Sequence, residues 1–132
     1  MGHDRSRRRY LIAVGITTGL VTSGPQIVAS VNGMAETLRR DFGYERATTL
    51  DIDPPAEQIR KEIREFCLGR GPDDVVVLYY TSHADEVNGK HRVWAGDTVD
   101  PISGTLETGH LAELMMVQTP RSEEHTSELQ SQ

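Results

Sequence analysis

The sequence predicts an α/β fold, a mainly parallel sheet covered by helices on both faces. Three observations carry that expectation. Asp73-Asp74 opens a run of six apolar or aromatic residues, Val75 to Tyr80, just after Gly71-Pro72. Such a run reads as a strand buried on both faces. Residues 10–16 form a second apolar run, and two stretches of helical period separate the two. Strand and helix in alternation call for right-handed crossovers between parallel strands.

Each element has its own signal. Residues 1–9 form a basic leader and residues 10–16 the first strand. Thr17 to Gln26, rich in Gly, Ser, Thr and Pro, reads as a loop. Ile27, Val31, Met34 and Leu38 are spaced four, three and four apart, one face of a helix ending near Phe42-Gly43. Residues 47–52 suit a short second strand. Asp53 is placed to N-cap a helix that starts at Pro54, with Ile59, Ile63, Phe66 and Cys67 on its apolar face. Gly69 and the Gly71-Pro72 pair close it. After the Val75 strand, Asn88-Gly89 signals a tight turn joining Val87 to the Lys90–Trp94 segment. Thr108 caps a last helix whose Leu111, Leu114 and Met115 point inward.

Composition narrows the function classes. Hydrophobic residues make up 36% of the 132, enough for one small domain but not a large core. The formal charge of −6, with no basic patch beyond the leader, argues against nucleic acid as the main partner. A single cysteine, Cys67, excludes an internal disulfide and suits a reducing cytoplasm. Ser6-Arg7-Arg8-Arg9-Tyr10-Leu11-Ile12 resembles a twin-arginine export motif. The apolar run behind it is short and interrupted, and it reads better as a buried strand. No stretch approaches the ~20 apolar residues of a membrane-spanning helix, so no membrane partner is expected.

The C-terminal residues stand apart. Arg121 to Ser131, eleven residues in order, resemble a reading-frame translation of a widely used short-read sequencing adapter. Residues 121–132 are accordingly expected to be an artefactual, disordered tail. They contribute −2 of the charge, from Arg121 against Glu123, Glu124 and Glu128, leaving −4 for the rest.

Several segments carry a family resemblance. Tyr10-Leu11-Ile12-Ala13-Val14-Gly15-Ile16, Phe42-Gly43-Tyr44, Pro54 and the Asp73-Asp74 strand running into Tyr79-Tyr80-Thr81-Ser82-His83-Ala84 resemble the N-terminal part of bacterial caspase-like (metacaspase-like) cysteine peptidases. Val93-Trp94-Ala95-Gly96-Asp97 and Thr105-Leu106-Glu107-Thr108 are similar to the same pattern. The resemblance spans roughly residues 8 to 118, and the domain it belongs to is placed at residues 10–120. It implies a three-layer caspase-like sandwich, incomplete here, and peptide-bond hydrolysis by a Cys-His dyad. His83 takes the place of the dyad histidine, as general acid and base. The dyad cysteine falls on the following strand, in an Asp-x-Cys-like turn that this chain lacks, so the fragment itself is expected to be inactive. Where the family has Gly-His-Gly, this chain has Ser82 and Ala84, which puts in question a donor for the oxyanion.

The residues themselves support His83 independently. A histidine just past the carboxyl end of a buried parallel strand lies where such sheets gather ligands, and imidazole is the side chain that changes charge near neutral pH. A turn-capping role is the plain alternative. Metal binding through His83, Asp85, Glu86 and His91 lacks the clean spacing of zinc sites, and neither metal nor cofactor is expected. Asp97 is a candidate to orient the His83 loop or to line a pocket for a basic residue, or simply to end a hairpin. Cys67 shares a helix face with Ile59 and Ile63 and reads as structural. Residues 15–24 lack the G-x-G-x-x-G pattern and the P-loop lysine, which disfavours a nucleotide-binding domain. Two function classes remain: a caspase-like endopeptidase acting on proteins or peptides, or a non-catalytic caspase-like signalling or scaffold module. Substrate-binding residues and further modules are not legible.

Overall fold

The computed structural model describes residues 8–19, 24–47, 50–116 and 126–130. Two strands form its centre: β1 (Arg9–Gly15) and β3 (Val75–Thr81), parallel and in register from Arg9↔Val75 to Gly15↔Thr81. The remaining elements are α1 (Gly24–Phe42), β2 (Glu45–Arg46), α2 (Ala56–Leu68), β4 (Ala84–Val87), β5 (Lys90–Val93), β6 (Leu106–Glu107), α3 (Thr108–Met116) and β7 (Thr126–Gln130). The main sheet runs β2-β1-β3-β7, all parallel, and β4-β5-β6 make a small antiparallel sheet.

The side-chain period of two sorts the strand residues between two apolar layers. Leu11, Ala13 and Tyr79 face α1, packing on Val31 with Met34 and Leu38 beside it. Tyr10, Ile12, Val14, Leu78 and Tyr80 face the other way, against residues of α2 and α3 such as Ile59, Ile63 and Leu111. Helices therefore cover both faces, the α/β sandwich that the sequence predicts. Each fully buried Ile, Leu or Val contributes about 1.5–3 kcal/mol, and both strands are buried along nearly their whole length.

α1 ends as its sequence dictates: Gly43, at φ +75°, donates its N–H to the carbonyl of Arg39. Arg39 and Arg40 in the last turn suit the negative end of the helix dipole. The turn at Asn88-Gly89 puts both residues at positive φ, 54° and 79°, as a two-residue hairpin of right-handed twist requires. The apolar run at residues 10–16 builds the buried first strand; residues 1–7 of the leader lie outside the described residues.

Three expectations need correction. The second strand at residues 47–52 is broken into pieces. Only Glu45–Arg46 pairs regularly with β1, followed by Ala47 N–H to Leu11 O and an isolated Gly15↔Ile52 bridge. Six steps from Arg46 to Ile52 face four from Leu11 to Gly15, so two surplus residues interrupt the ladder.

Asp53 does not cap α2. It sits at φ +59° and turns its carboxylate to Thr17, accepting from the backbone N–H at 2.7 Å and from the hydroxyl at 2.6 Å. Pro55 occupies the N-cap without a side-chain cap of its own.

Finally, part of the tail expected to be disordered is a strand. Residues 126–130 form β7, which pairs in parallel with β3 from Val75↔Thr126 to Tyr79↔Gln130. The physical reason lies in β3, whose far edge otherwise offers a row of unpaired N–H and C=O groups to any extended segment.

Candidate active site

His83 emerges where β3 ends and the chain bends into β4, at the carboxyl end of the two central strands. Its side chain is 38% exposed, and Nε2 lies 3.3 Å from Oδ2 of Asp85. The same Asp85 oxygen accepts from Trp94 Nε1 at 2.8 Å. The Trp94 ring meets the imidazole edge-on, with centroids 5.2 Å apart at 83°, a favoured aromatic geometry. Local folding brings the three together. Ala84↔Val93 and Asp85↔Arg92 are hairpin partners, so Trp94 lies opposite His83, whose carbonyl accepts the Trp94 N–H at 3.1 Å, and diagonal to Asp85.

Beneath this trio three loops are fastened to one another. Gly15 O accepts from Asp53 N–H at 2.7 Å, and Gly96 N–H donates to Pro54 O at 2.7 Å. Thr18 donates its hydroxyl proton to Gly96 O at 3.2 Å. At Gly96 the backbones touch: a β-carbon there would stand 2.1 Å from the carbonyl oxygen of Asp53. Gly19, at φ +88°, lies against the Trp94 ring, where a β-carbon would come within 2.8 Å. Buried Tyr80 donates its hydroxyl proton to Trp94 O at 2.7 Å. Burial pushes that phenol well above its usual range, and the charge of Asp97 adds to the effect.

Ser82 and Ala84 fit the bend without strain. Among the described residues only Asp53 and Asn88 are non-glycines at positive φ, so the turn around His83 does not need glycine's left-handed freedom. Ser82 is buried, and its hydroxyl donates to His83 O at 2.9 Å. Thr81, at the strand end, is buried with its hydroxyl unpaired.

Asp97 has a partner remote in sequence: its Oδ1 accepts the Ala56 N–H at 3.0 Å, supplying the cap that α2 lacks. Of the four residues weighed for a metal, His83 and Asp85 come together, whereas Glu86 and His91 pair across the hairpin. The His91 ring hydrogen-bonds with Thr108, Nδ1 to Oγ1, at 2.5 Å. The described residues contain no group of three or more side chains suited to hold a metal ion. Cys67 is fully buried in the α2 face, and burial pushes its thiol up to about 11, only partly opposed by Arg70. A thiol so placed is not a nucleophile.

Sequence reasoning weighs Asp85 only as a metal ligand and sets neither Asp85 nor Trp94 beside His83 as a partner. A signal for Asp85 was present: residues two apart along extended chain share a side, so His83-Ala84-Asp85 already puts a carboxylate beside the imidazole.

Comparison with known families decides the assignment. Residues 19–120 match the Caspase domain family, more than half of the chain and including the whole His83 turn. The chain belongs to the caspase-domain family. No curated protein matches it. At the family level this makes it a cysteine-peptidase domain whose substrates are proteins or peptides. Among the described residues, no helix is long and apolar enough to cross a membrane.

Proposed function

We propose that this caspase domain carries the histidine half of a Cys-His dyad for peptide-bond hydrolysis. The domain of residues 10–120 then belongs to a longer cytoplasmic protein, of metacaspase-like bacterial type, whose catalytic cysteine stands on a strand past residue 120. The observation that carries this reading is the position of His83: half-exposed at the carboxyl end of β3 and backed by Asp85 and Trp94. In the reaction the cysteine thiolate attacks the substrate carbonyl carbon. The C–N bond breaks as His83 gives its proton to the departing amine. Water then attacks the thioester, His83 takes the water's proton, and the thiolate leaves. The chemistry needs no cofactor, and residues 121–132 take no part in it.

The test uses the reading frame extended from its source genome to include the cysteine. The extended protein is expected to cleave peptides and the 132-residue chain to be inert. His83→Ala should lower kcat by at least about a hundredfold, the loss expected for a positioned general acid and base, with an unchanged amide spectrum. Ordinary turnover in that variant sinks His83 as the dyad histidine; an extended frame without a cysteine on the next strand favours the non-catalytic signalling module instead.

A further inference from the structure

The geometry points to Asp85 as a positioning residue for His83, one that holds the imidazole through Nε2–H and leaves Nδ1 to handle the proton. The inference rests on the dyad reading and adds a third member to it.

The arrangement has three parts. A carboxylate only accepts hydrogen bonds, so the imidazole nitrogen that approaches it must carry the proton. The nitrogen near Asp85 is Nε2, at 3.3 Å, a close approach short of a formed hydrogen bond; closing it favours the Nε2–H tautomer of the neutral ring, with the lone pair on Nδ1. Asp85 is itself held: Trp94 Nε1–H anchors Oδ2 at 2.8 Å, and Asp85 is paired in the β4–β5 ladder. The Trp94 ring meanwhile flanks the imidazole edge-on and limits its rotation.

The distances show which contact is anchor and which is adjustable. The Trp94 bond has full hydrogen-bond length, whereas 3.3 Å is long for a charge-assisted N–H···O, which runs about 2.7–2.9 Å. Catalytic hydrogen bonds commonly stand long before substrate arrives and tighten afterwards. Asp85 is three-quarters buried and His83 more open, so the carboxylate is the fixed post and the imidazole the moving part. Once Nδ1 takes a proton the ring becomes a cation facing that carboxylate, and Asp85 stabilises it as well as orienting it.

The experiment reads the tautomer directly, in the 132-residue chain with ¹⁵N-labelled histidine, at a pH where the ring is neutral. The unsubstituted chain is expected to show His83 protonated on Nε2, with that proton protected from exchange with water. In Asp85→Ala the protection is lost and the tautomer ratio relaxes to that of free histidine, while amides outside the hairpin stay in place. Should Asp85→Ala fail to fold, Asp85→Leu keeps the bulk but offers no acceptor, and must shift the ratio in the same direction. A proton found on Nδ1 in the unsubstituted chain, or a ratio unmoved in a folded variant, overturns the assignment. A tautomer that follows Asp85 while His83→Ala leaves turnover of the extended protein intact upholds the positioning role and sinks the dyad.

Discussion

The sheet interior and the loop cluster at its carboxyl end are built on different principles. In the interior, β1 and β3 are held by apolar side chains whose spacing is local, and each burial adds a similar, non-directional increment. The loop cluster is held by directional polar links between residues far apart in the chain: Thr17 to Asp53, Ala56 to Asp97, Thr18 to Gly96. Such links are worth about 0.5–1.5 kcal/mol each. The interior therefore sets stability, and the cluster fastens the loop after Trp94 to the loop after β1 and to the start of α2.

The largest expected effect tests the interior. Ile63 of α2 is fully buried against the β1–β3 face. Ile63→Ala should lower unfolding free energy by about 4 kcal/mol, within the range for buried aliphatic truncation. Chemical denaturation monitored by circular dichroism measures it. A cost below about 1 kcal/mol, the scale of a tolerated volume-conserving swap, would mean that the α2 face is not the main source of stability.

Gly96→Ala tests the cluster and should cost about 2–3 kcal/mol, the upper part of the overpacking range. Its β-carbon would meet the Asp53 carbonyl group, which is backbone and cannot rotate away. Gly33→Ala is the natural control, because nothing lies within 4 Å of that position on α1. It should be stabilising by about 0.5–1 kcal/mol through helix propensity. The Gly96 cost should appear as faster amide exchange around Trp94 and Thr98, with β1 amides unaffected. Equal acceleration in β1 would show that the two regions open as one unit and would erase the contrast.

Legibility in the sequence follows the same division. Apolar period alone locates β1, α1, α2, β3 and α3, because burial leaves a local imprint at spacings of two or of three and four. Asn88-Gly89 discloses its hairpin for a similar reason, since the turn depends on two adjacent residues. The failures sit where partners are remote. Asp53 before Pro54 has the look of an N-cap, yet Thr17 competes successfully for its carboxylate. The α2 cap comes instead from Asp97, 41 residues onward. At β7, extended pairing to an open edge overrides the disorder expected of an adapter-like tail. The position of His83 at a strand end is legible from the strand pattern, and its nearness to Asp85 from their spacing of two. Trp94's contact with both required the hairpin register.

The smallest effect concerns that remote cap and separates two roles for Asp97. If it only closes the hairpin, Asp97→Ala should leave α2 untouched. The structure instead has its Oδ1 accepting the first N–H of α2, at Ala56, where Pro54 and Pro55 have no N–H and Pro55 offers no side-chain acceptor. Losing a capping acceptor costs about 1 kcal/mol, and the effect should be concentrated at the start of α2. Asp97→Ala is therefore expected to lower stability by about that amount and to speed amide exchange of Ala56 and its immediate neighbours. Asp97→Asn, which keeps an oxygen in place, should recover most of the loss. The Nε2–H tautomer of His83 should be the same in all three proteins, because Asp97 does not reach the ring. A tautomer that moved with Asp97 would join the cap to the site and show that the loop cluster transmits strain to the histidine.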